Sequence, residues 1–360
     1  MRILKYRMYG AGLSNQRMSL DMGVALSVYS KRAFAPYEFK SMEHSGRALR
    51  GQIERYNISD LFDIPVPMLD ESSSLIPWSS LAADEFSPER LGKHVFVDET
   101  FTHDERFEEF LGRRELTVTD LNVMYETADV LDLSSRRNFC NATPLFYVEE
   151  EKRRNIMHTI RHVVPREVYR QAASRIAESI GSFDAIHVRQ GDFLNADHPF
   201  DIKDPESLLS NVDGMFDRDK TLVICTDEEA SPNFSLLRAH YQCVMLESYI
   251  LQTPSLKQIY DNLPFQDEAI MGVLCQLVCE HANKFAGSLR STYTNYVHRA
   301  RGEPEMLFIN TLSRPNVKIT EGRIEITHPD KEFSWWRTGW CMDVDPSTIA
   351  WMREWPEGFS

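Results

Sequence analysis

The segment Ile186-His187-Val188-Arg189-Gln190-Gly191-Asp192-Phe193 sets an imidazole, a guanidinium, an amide and a carboxylate around one glycine. Arg189 offers a planar, permanently charged fork of donors matched to phosphate oxygens. Gly191 lets backbone approach a ligand closely, and His187 and Asp192 have the chemistry to orient its polar groups. Binding of a phosphorylated ligand is the chemistry these residue types support; a strand-end arginine paired with a surface acid is the alternative. A second polar group, Thr226-Asp227-Glu228-Glu229, ends another apolar run. Further on, Ser291 or Thr292 caps a helix that runs through Arg301. Such a cap either joins hydroxyls and helix amides into a cradle for an anion or simply starts the helix.

The elements that position these groups alternate as a parallel sheet with covering helices requires. The pattern predicts strands over Phe183 to Val188, Thr221 to Thr226 and Cys243 to Leu246, with helices around Pro205 to Phe216 and Phe234 to His240. Ile270, Val273, Leu274, Leu277 and Val278 mark the buried face of a helix ending near His281, and Lys284 to Ser288 reads as a short strand or turn. Polar clusters at the C-terminal ends of such strands occupy the usual ligand position of open α/β sheets. Near the start, a first strand runs into Gly10-Ala11-Gly12-Leu13-Ser14-Asn15-Gln16. A helix then follows with Met18, Met22, Ala25, Leu26 and Tyr29 on one face, and Ser14 or Asn15 as its cap. From about Lys40 to Thr143 no motif resolves, and Asp70 to Phe86 reads as loop. A helical region from about Glu149 to Ile180 breaks near Pro165, which makes residues 150 to 170 the domain junction. The expected organisation is therefore 1–165, 166–302 and an aromatic-rich tail, 303–360.

With 360 residues, 42% hydrophobic and 26% charged, the chain has material for two cores. A net charge of -14 argues against nucleic acid as the partner but leaves room for an anionic small ligand in a local positive pocket. Cys140, Cys225, Cys243, Cys275, Cys279 and Cys341 show no CxxC or Cys/His metal spacing and read as mostly buried free thiols. Cys275 and Cys279 share a helix face without two further ligands nearby. The first nine residues are too short and charged for a signal peptide or anchor, and no later run of about eighteen apolar residues follows. The expectation is a soluble cytoplasmic protein with no membrane span, which makes the sequons at Asn57, Asn141 and Asn233 uninformative. Trp335, Trp336, Trp340, Trp351 and Trp355 crowd the tail, either packing it onto the domains or stacking on an acceptor.

Four segments, in order, resemble the motifs of the GDP-fucose-dependent fucosyltransferases, the superfamily of protein O-fucosyltransferases and the α-1,2 and α-1,6 enzymes. They are Gly10-Ala11-Gly12-Leu13-Ser14-Asn15-Gln16-Arg17, His187-Val188-Arg189-Gln190-Gly191-Asp192, Thr226-Asp227-Glu228 and Phe285-Ala286-Gly287-Ser288-Leu289-Arg290-Ser291-Thr292-Tyr293. The last, continuing to His298-Arg299, favours the protein O-fucosyltransferase-like branch. The resemblance covers about residues 3 to 35 and 183 to 302.

It implies an α/β protein of GT-B architecture, two Rossmann-like domains facing a central cleft, which transfers L-fucose from GDP-fucose to a hydroxyl of a glycan or protein. Inversion at the sugar carbon and no metal or other cofactor are implied with it. Carried over by position, Arg189 is the catalytic residue, binding the β-phosphate and offsetting charge on departing GDP. Ser291, Thr292 and Tyr293 would sit on the phosphates or ribose, His187 and Asp227 would hold the nucleotide, and Asp192 and Asn283 would complete the donor set. Gly12, Leu13, Ser14 and Asn15 would close over the sugar diphosphate. Two departures stand out. Gly10 to Gln16 lacks the acid that serves some relatives as base, although dissociative loss of GDP reduces the need for one. Asn283 stands where relatives carry aspartate, and its amide both donates and accepts. The competing readings are a transferase using another nucleotide sugar, a non-catalytic nucleotide-sugar or glycan-binding protein, and a metal-dependent transferase built on Asp343-Val344-Asp345 or Asp217-Arg218-Asp219.

Overall fold

The computed structural model describes residues 2–6, 13–36, 39–40, 55–66, 94–96, 130–133, 150–190, 204–288, 291–302, 307–309, 316–320 and 323–327. Two parallel sheets organise them. The first joins β1 (Ile3–Tyr6), β2 (Ala33–Pro36), β3 (His94–Phe96) and β4 (Val130–Leu133) in the order β2-β1-β4-β3. The second joins β5 (Phe183–Val188), β6 (Thr221–Thr226), β7 (Gln242–Met245), β8 (Phe285–Gly287) and β9 (Leu307–Phe308) in the order β7-β6-β5-β8-β9. Counted along the chain this second order is 3-2-1-4-5, the doubly wound pattern. Its fifth strand comes from residues beyond the expected boundary at 302.

All six residues of β5 are buried, because a parallel strand has helices on both faces and so needs apolar groups on both. Alternation sends Phe183 and Ala185 into one core and Ile186 and Val188 into the other. The larger core is continuous between the two sheets. Leu4, Leu20 and Val24 from the first sheet and its helix α1 (Leu13–Ser30) share it with the residues of α8 (Glu268–Glu280). Between them in the chain lie α2 (Glu150–Arg161), α3 (Glu167–Ile180), α4 (Pro205–Asp213), α5 (Ser235–His240), α6 (Leu246–Gln252) and α7 (Pro254–Asp261). The last helix, α9 (Thr292–Arg301), packs on both α8 and α1.

Local chemistry accounts for the ends of these helices. Asp204 caps α4 by accepting from the Ser207 amide at 2.7 Å, with Pro205 in the first turn, and Asp267 caps α8 by accepting from the Ile270 amide at 2.9 Å. At the other end of α8, Arg301 Nη1 donates to the carbonyls of Cys279, Glu280 and Ala282 at 3.2, 3.0 and 2.5 Å. One guanidinium thereby satisfies carbonyls that a helix end otherwise leaves bare. Four expectations need adjusting. The helix from Pro205 stops at Asp213 rather than Phe216, since Gly214 follows, and Leu246 opens α6 instead of ending β7. Ser14 and Asn15 lie inside α1, which begins at Leu13, so neither is its cap. The break near Pro165 is a two-residue strand, Val164–Pro165, antiparallel to Phe62–Asp63. Asp70 to Phe86, the tail tryptophans, Asp343, Asp345, Cys140, Cys341 and the sequon at Asn141 lie outside the described residues. Among those described, no helix is long and apolar enough to cross a membrane.

Beside the Arg301 cap, burial pushes the Glu280 carboxyl up to about 7 against the pull of Arg17, Arg301 and Arg170. Between the ordinary carboxylate pKa and this raised one, the folded chain keeps a proton that the unfolded chain has lost. Stability therefore falls as pH rises through roughly 4.5 to 7 and levels off above, a loss on the order of 2–3 kcal/mol. Urea titrations of Glu280→Gln are expected to show that fall abolished, with a higher midpoint than wild type at pH 8. A wild-type midpoint that stays flat across the window would contradict this.

Candidate functional site

The C-terminal ends of β5, β6 and β8 converge on one edge of the second sheet, where the winding order reverses between β5 and β8. Such a switch point is where open α/β sheets leave a crevice for ligand. The chain leaving β5 carries Arg189 into it. The Arg189 amide donates to Ser288 Oγ at 2.8 Å, and the Ser288 amide donates back to the His187 carbonyl at 2.9 Å, so the exits of β5 and β8 are laced together. From β6, Asp227 places one carboxylate oxygen 3.3 Å from Arg189 Nε and accepts from the Gln190 amide on the other at 2.8 Å. One carboxylate thus holds both the arginine side chain and the backbone that follows it. Both side chains are largely shielded, 16% and 9% exposed, so the pair is far less screened than a surface ion pair. Gln190 anchors the next residue inward, its Oε1 accepting from Ser231 Oγ at 2.7 Å and Asn233 Nδ2 at 2.9 Å. Asn233 is buried in that role, which removes its sequon from the surface.

His187, at the penultimate position of β5, faces the first turn of α9. Its Nδ1 meets Thr294 Oγ1 at 2.9 Å, and its ring stacks on Tyr293 with centroids 4.1 Å apart and planes 20° from parallel. Burial lowers its pKa to about 3, with the Asp227 carboxylate opposing and Arg189 assisting, so the imidazole is neutral at physiological pH. Gly287 makes the contact with α9 possible, since a Cβ there would overlap the Thr294 side chain. The sequence reading put Tyr293 on the phosphates or ribose. The structure instead lays its ring under His187 and buries its hydroxyl beside the Cys225, Cys275 and Cys279 thiols, with burial raising its pKa. Those three are buried free cysteines, and Cys225 and Cys279 sulfurs touch at 3.3 Å.

Ser291 is buried at the entry to α9 and Thr292 begins that helix, so both stand at the same edge as Arg189. Ser14 approaches from α1, but its hydroxyl accepts from Gln276 Nε2 of α8 at 3.1 Å. The same Nε2 reaches the Tyr293 carbonyl at 3.4 Å. Ser14 thus makes a contact between α1 and α8 next to the site, and Leu13 packs against α8 at Gly272. Asn15 lies on α1. Gly12 and Asp192 lie outside the described residues. Asn283 requires correction. Its amide donates to the carbonyl of Phe183, the first residue of β5, and its side chain donates to Ser182 Oγ. Arg189 is six residues further along, roughly 20 Å away at the opposite edge, so Asn283 is no part of this site. Asp217 and Asp219 stand exposed before β6, and among the described residues no group of three His, Cys, Asp or Glu could hold a metal ion.

Sequence reasoning missed Ser288, Thr294, Gln190 and Gln276 as parts of the site. Ser288 and Gln190 lay within its motifs; Thr294 and Gln276 carried no local signal, because each acts through a partner far away in the chain.

No family model matches the chain, and no curated protein matches it by sequence. Solved structures do match. POFUT1 in complex with GDP superposes with a TM-score of 0.51 at 10% identity, covering 85% of this chain and 98% of that one. A variant of Arabidopsis thaliana FUT1 in complex with GDP gives 0.51 at 13% identity, covering 88% and 71%. The fucosyltransferase NodZ from Bradyrhizobium covers 91% and 99% at 14% identity with a lower score, 0.44, so the likeness in fold rests on the first two. The chain is an α/β protein of the GT-B class, built on two Rossmann-like sheets. Its fold is that of the GDP-fucose fucosyltransferases its motifs resemble.

Proposed function

We propose that this chain is an inverting fucosyltransferase that moves L-fucose from GDP-fucose to a hydroxyl of a glycan or protein. The observation that carries the reading is the pinned arginine at the switch point, held at its amide by Ser288 and at its side chain by Asp227. A leaving nucleoside diphosphate gains negative charge as its bond to the sugar breaks. A preoriented guanidinium in a shielded site stabilises that charge without reorganising, the role a metal plays in other transferases. In this reading Ser291, Thr292 and the first-turn amides of α9, at the same sheet edge as Arg189, take phosphate oxygens. Neutral His187 adds a polar contact without adding charge. We assign no base for the acceptor hydroxyl. Free thiols at the buried cysteines fit the reducing conditions of the cytoplasm, where we place the protein.

The absence of an acid in Gly10 to Gln16 favours a second reading, a nucleotide-sugar-binding protein without turnover. A donor screen by thermal shift, paired with transfer and hydrolysis assays, separates them. GDP and GDP-fucose are expected to raise the melting temperature, a ligand at 100 times its Kd contributing about 2.7 kcal/mol, and GDP-fucose is expected to turn over. Stabilisation by a different nucleotide alone would refute the donor. Binding with no transfer or hydrolysis would leave the second reading.

A further inference from the structure

The first turn of α9 also supports a histidine. Thr294 is fully buried, and its hydroxyl has His187 Nδ1 as its hydrogen-bond partner, at 2.9 Å. A buried hydroxyl rotates to spend its proton where it can, since an unmet donor costs more than an unmet lone pair. With His187 Nδ1 its one partner among the described residues, the O–H points at Nδ1, so Nδ1 is the acceptor. A neutral imidazole carries a single ring proton, which is then on Nε2. Tyr293 closes one face of the ring and Gly287 leaves room for Thr294, so the imidazole is fixed in pose as well as in protonation. No partner for Nε2 is found among the described residues.

We propose that Thr294 is a positioning residue that holds His187 as its Nε2–H tautomer, so that the site offers an uncharged donor and selects an acceptor oxygen of the bound nucleotide. This rests on the donor reading above, and the two fail separately. The acceptor oxygen belongs to a phosphate or to a carbonyl of the base; both present the same chemistry to Nε2–H.

The test uses the full chain with 15N-labelled histidine, reading the His187 ring nitrogens at pH 7 beside Kd for GDP and for pyrophosphate. Wild type is expected to show a protonated Nε2 and a bare Nδ1. Thr294→Val keeps the shape and loses the hydroxyl; it is expected to populate the other tautomer and to weaken GDP about five-fold, the worth of one hydrogen bond. Thr294→Ser, which keeps the hydroxyl, is expected to restore both. Pyrophosphate weakened in parallel identifies a phosphate contact, and pyrophosphate unaffected identifies the base. A packing role gives the reverse order, with Val silent and Ser impaired, and overturns the proposal, as does a wild-type tautomer in Thr294→Val. Should Thr294→Val fail to fold, Thr294→Ser decides alone, since loss of the Nε2–H tautomer there is equally fatal. If wild type binds no GDP, the donor reading falls while the ring-nitrogen spectrum still judges Thr294.

Discussion

On the proposed function, Arg189→Ala is expected to lower kcat for fucose transfer about 10²–10³-fold while weakening ground-state binding of GDP-fucose much less. The asymmetry follows from when the charge appears. GDP-fucose in the ground state shares its diphosphate charge with the sugar linkage, whereas the departing diphosphate bears a full additional charge, and a fixed guanidinium gains most at that moment. Its fixing is visible in the Ser288 and Asp227 contacts at 2.8 and 3.3 Å. Arg189→Lys is expected to recover only part of the loss, because an ammonium keeps the charge but cannot reproduce the fork that Asp227 orients. Asp227 still accepts from the Gln190 amide in either variant, so the loop keeps one of its ties. Single-turnover kinetics beside the donor concentration dependence, which gives the GDP-fucose Kd, read the two effects independently. Turnover within about ten-fold of wild type in Arg189→Ala would remove the arginine from the mechanism.

Gly287→Ala is expected to be the most damaging small substitution in the second sheet. A methyl group there meets the Cβ, Oγ1 and Cγ2 of Thr294, atoms tied to the backbone of α9 rather than the far end of a flexible chain. The helix must move off β8, and inserting one methyl into a packed core costs about 1–3 kcal/mol. The same displacement separates Thr294 from His187, so GDP affinity is expected to fall alongside stability. Gly272 supplies the comparison. There an added Cβ comes no closer than 3.3 Å to the tip of Leu13, which can swing aside, so Gly272→Ala in α8 is expected to be tolerated. Denaturant midpoints and GDP affinities of the two variants measure the contrast; equal behaviour would show that the β8–α9 approach is not tight.

What was readable in the chain follows from how each element is made. β5 and β6 match their expected bounds because each is an apolar run ended by polar residues. Strands as short as His94–Phe96 and Val130–Leu133 give too few residues for a period, and Ala33–Pro36 ends in a proline that reads as a break. No polar residue separates β7 from α6, so Leu246 was drawn into the strand. Within the site, His187, Arg189 and Asp227 were legible as polar groups at strand ends. Thr294 and Gln276 were not, since their partners are 107 and 262 residues distant. Asn283 precedes β8 and therefore stands at the sheet edge opposite Arg189, a consequence of strand direction that motif spacing does not carry.

The core around α8 has a thermodynamic consequence. Ten residues of that helix are buried, and nine of them pack in one cluster with Leu4, Leu20 and Val24 from the first sheet and its helix and with Phe183 and Ala185 from the second. Asp21 accepts from Tyr296 at 2.7 Å across the same junction, and Arg17 lies over the Tyr296 ring at 4.2 Å. Losing either half strips apolar cover from the other, so neither is free to melt by itself. The two sheets are wound separately, yet their shared core is expected to make them unfold in one cooperative transition.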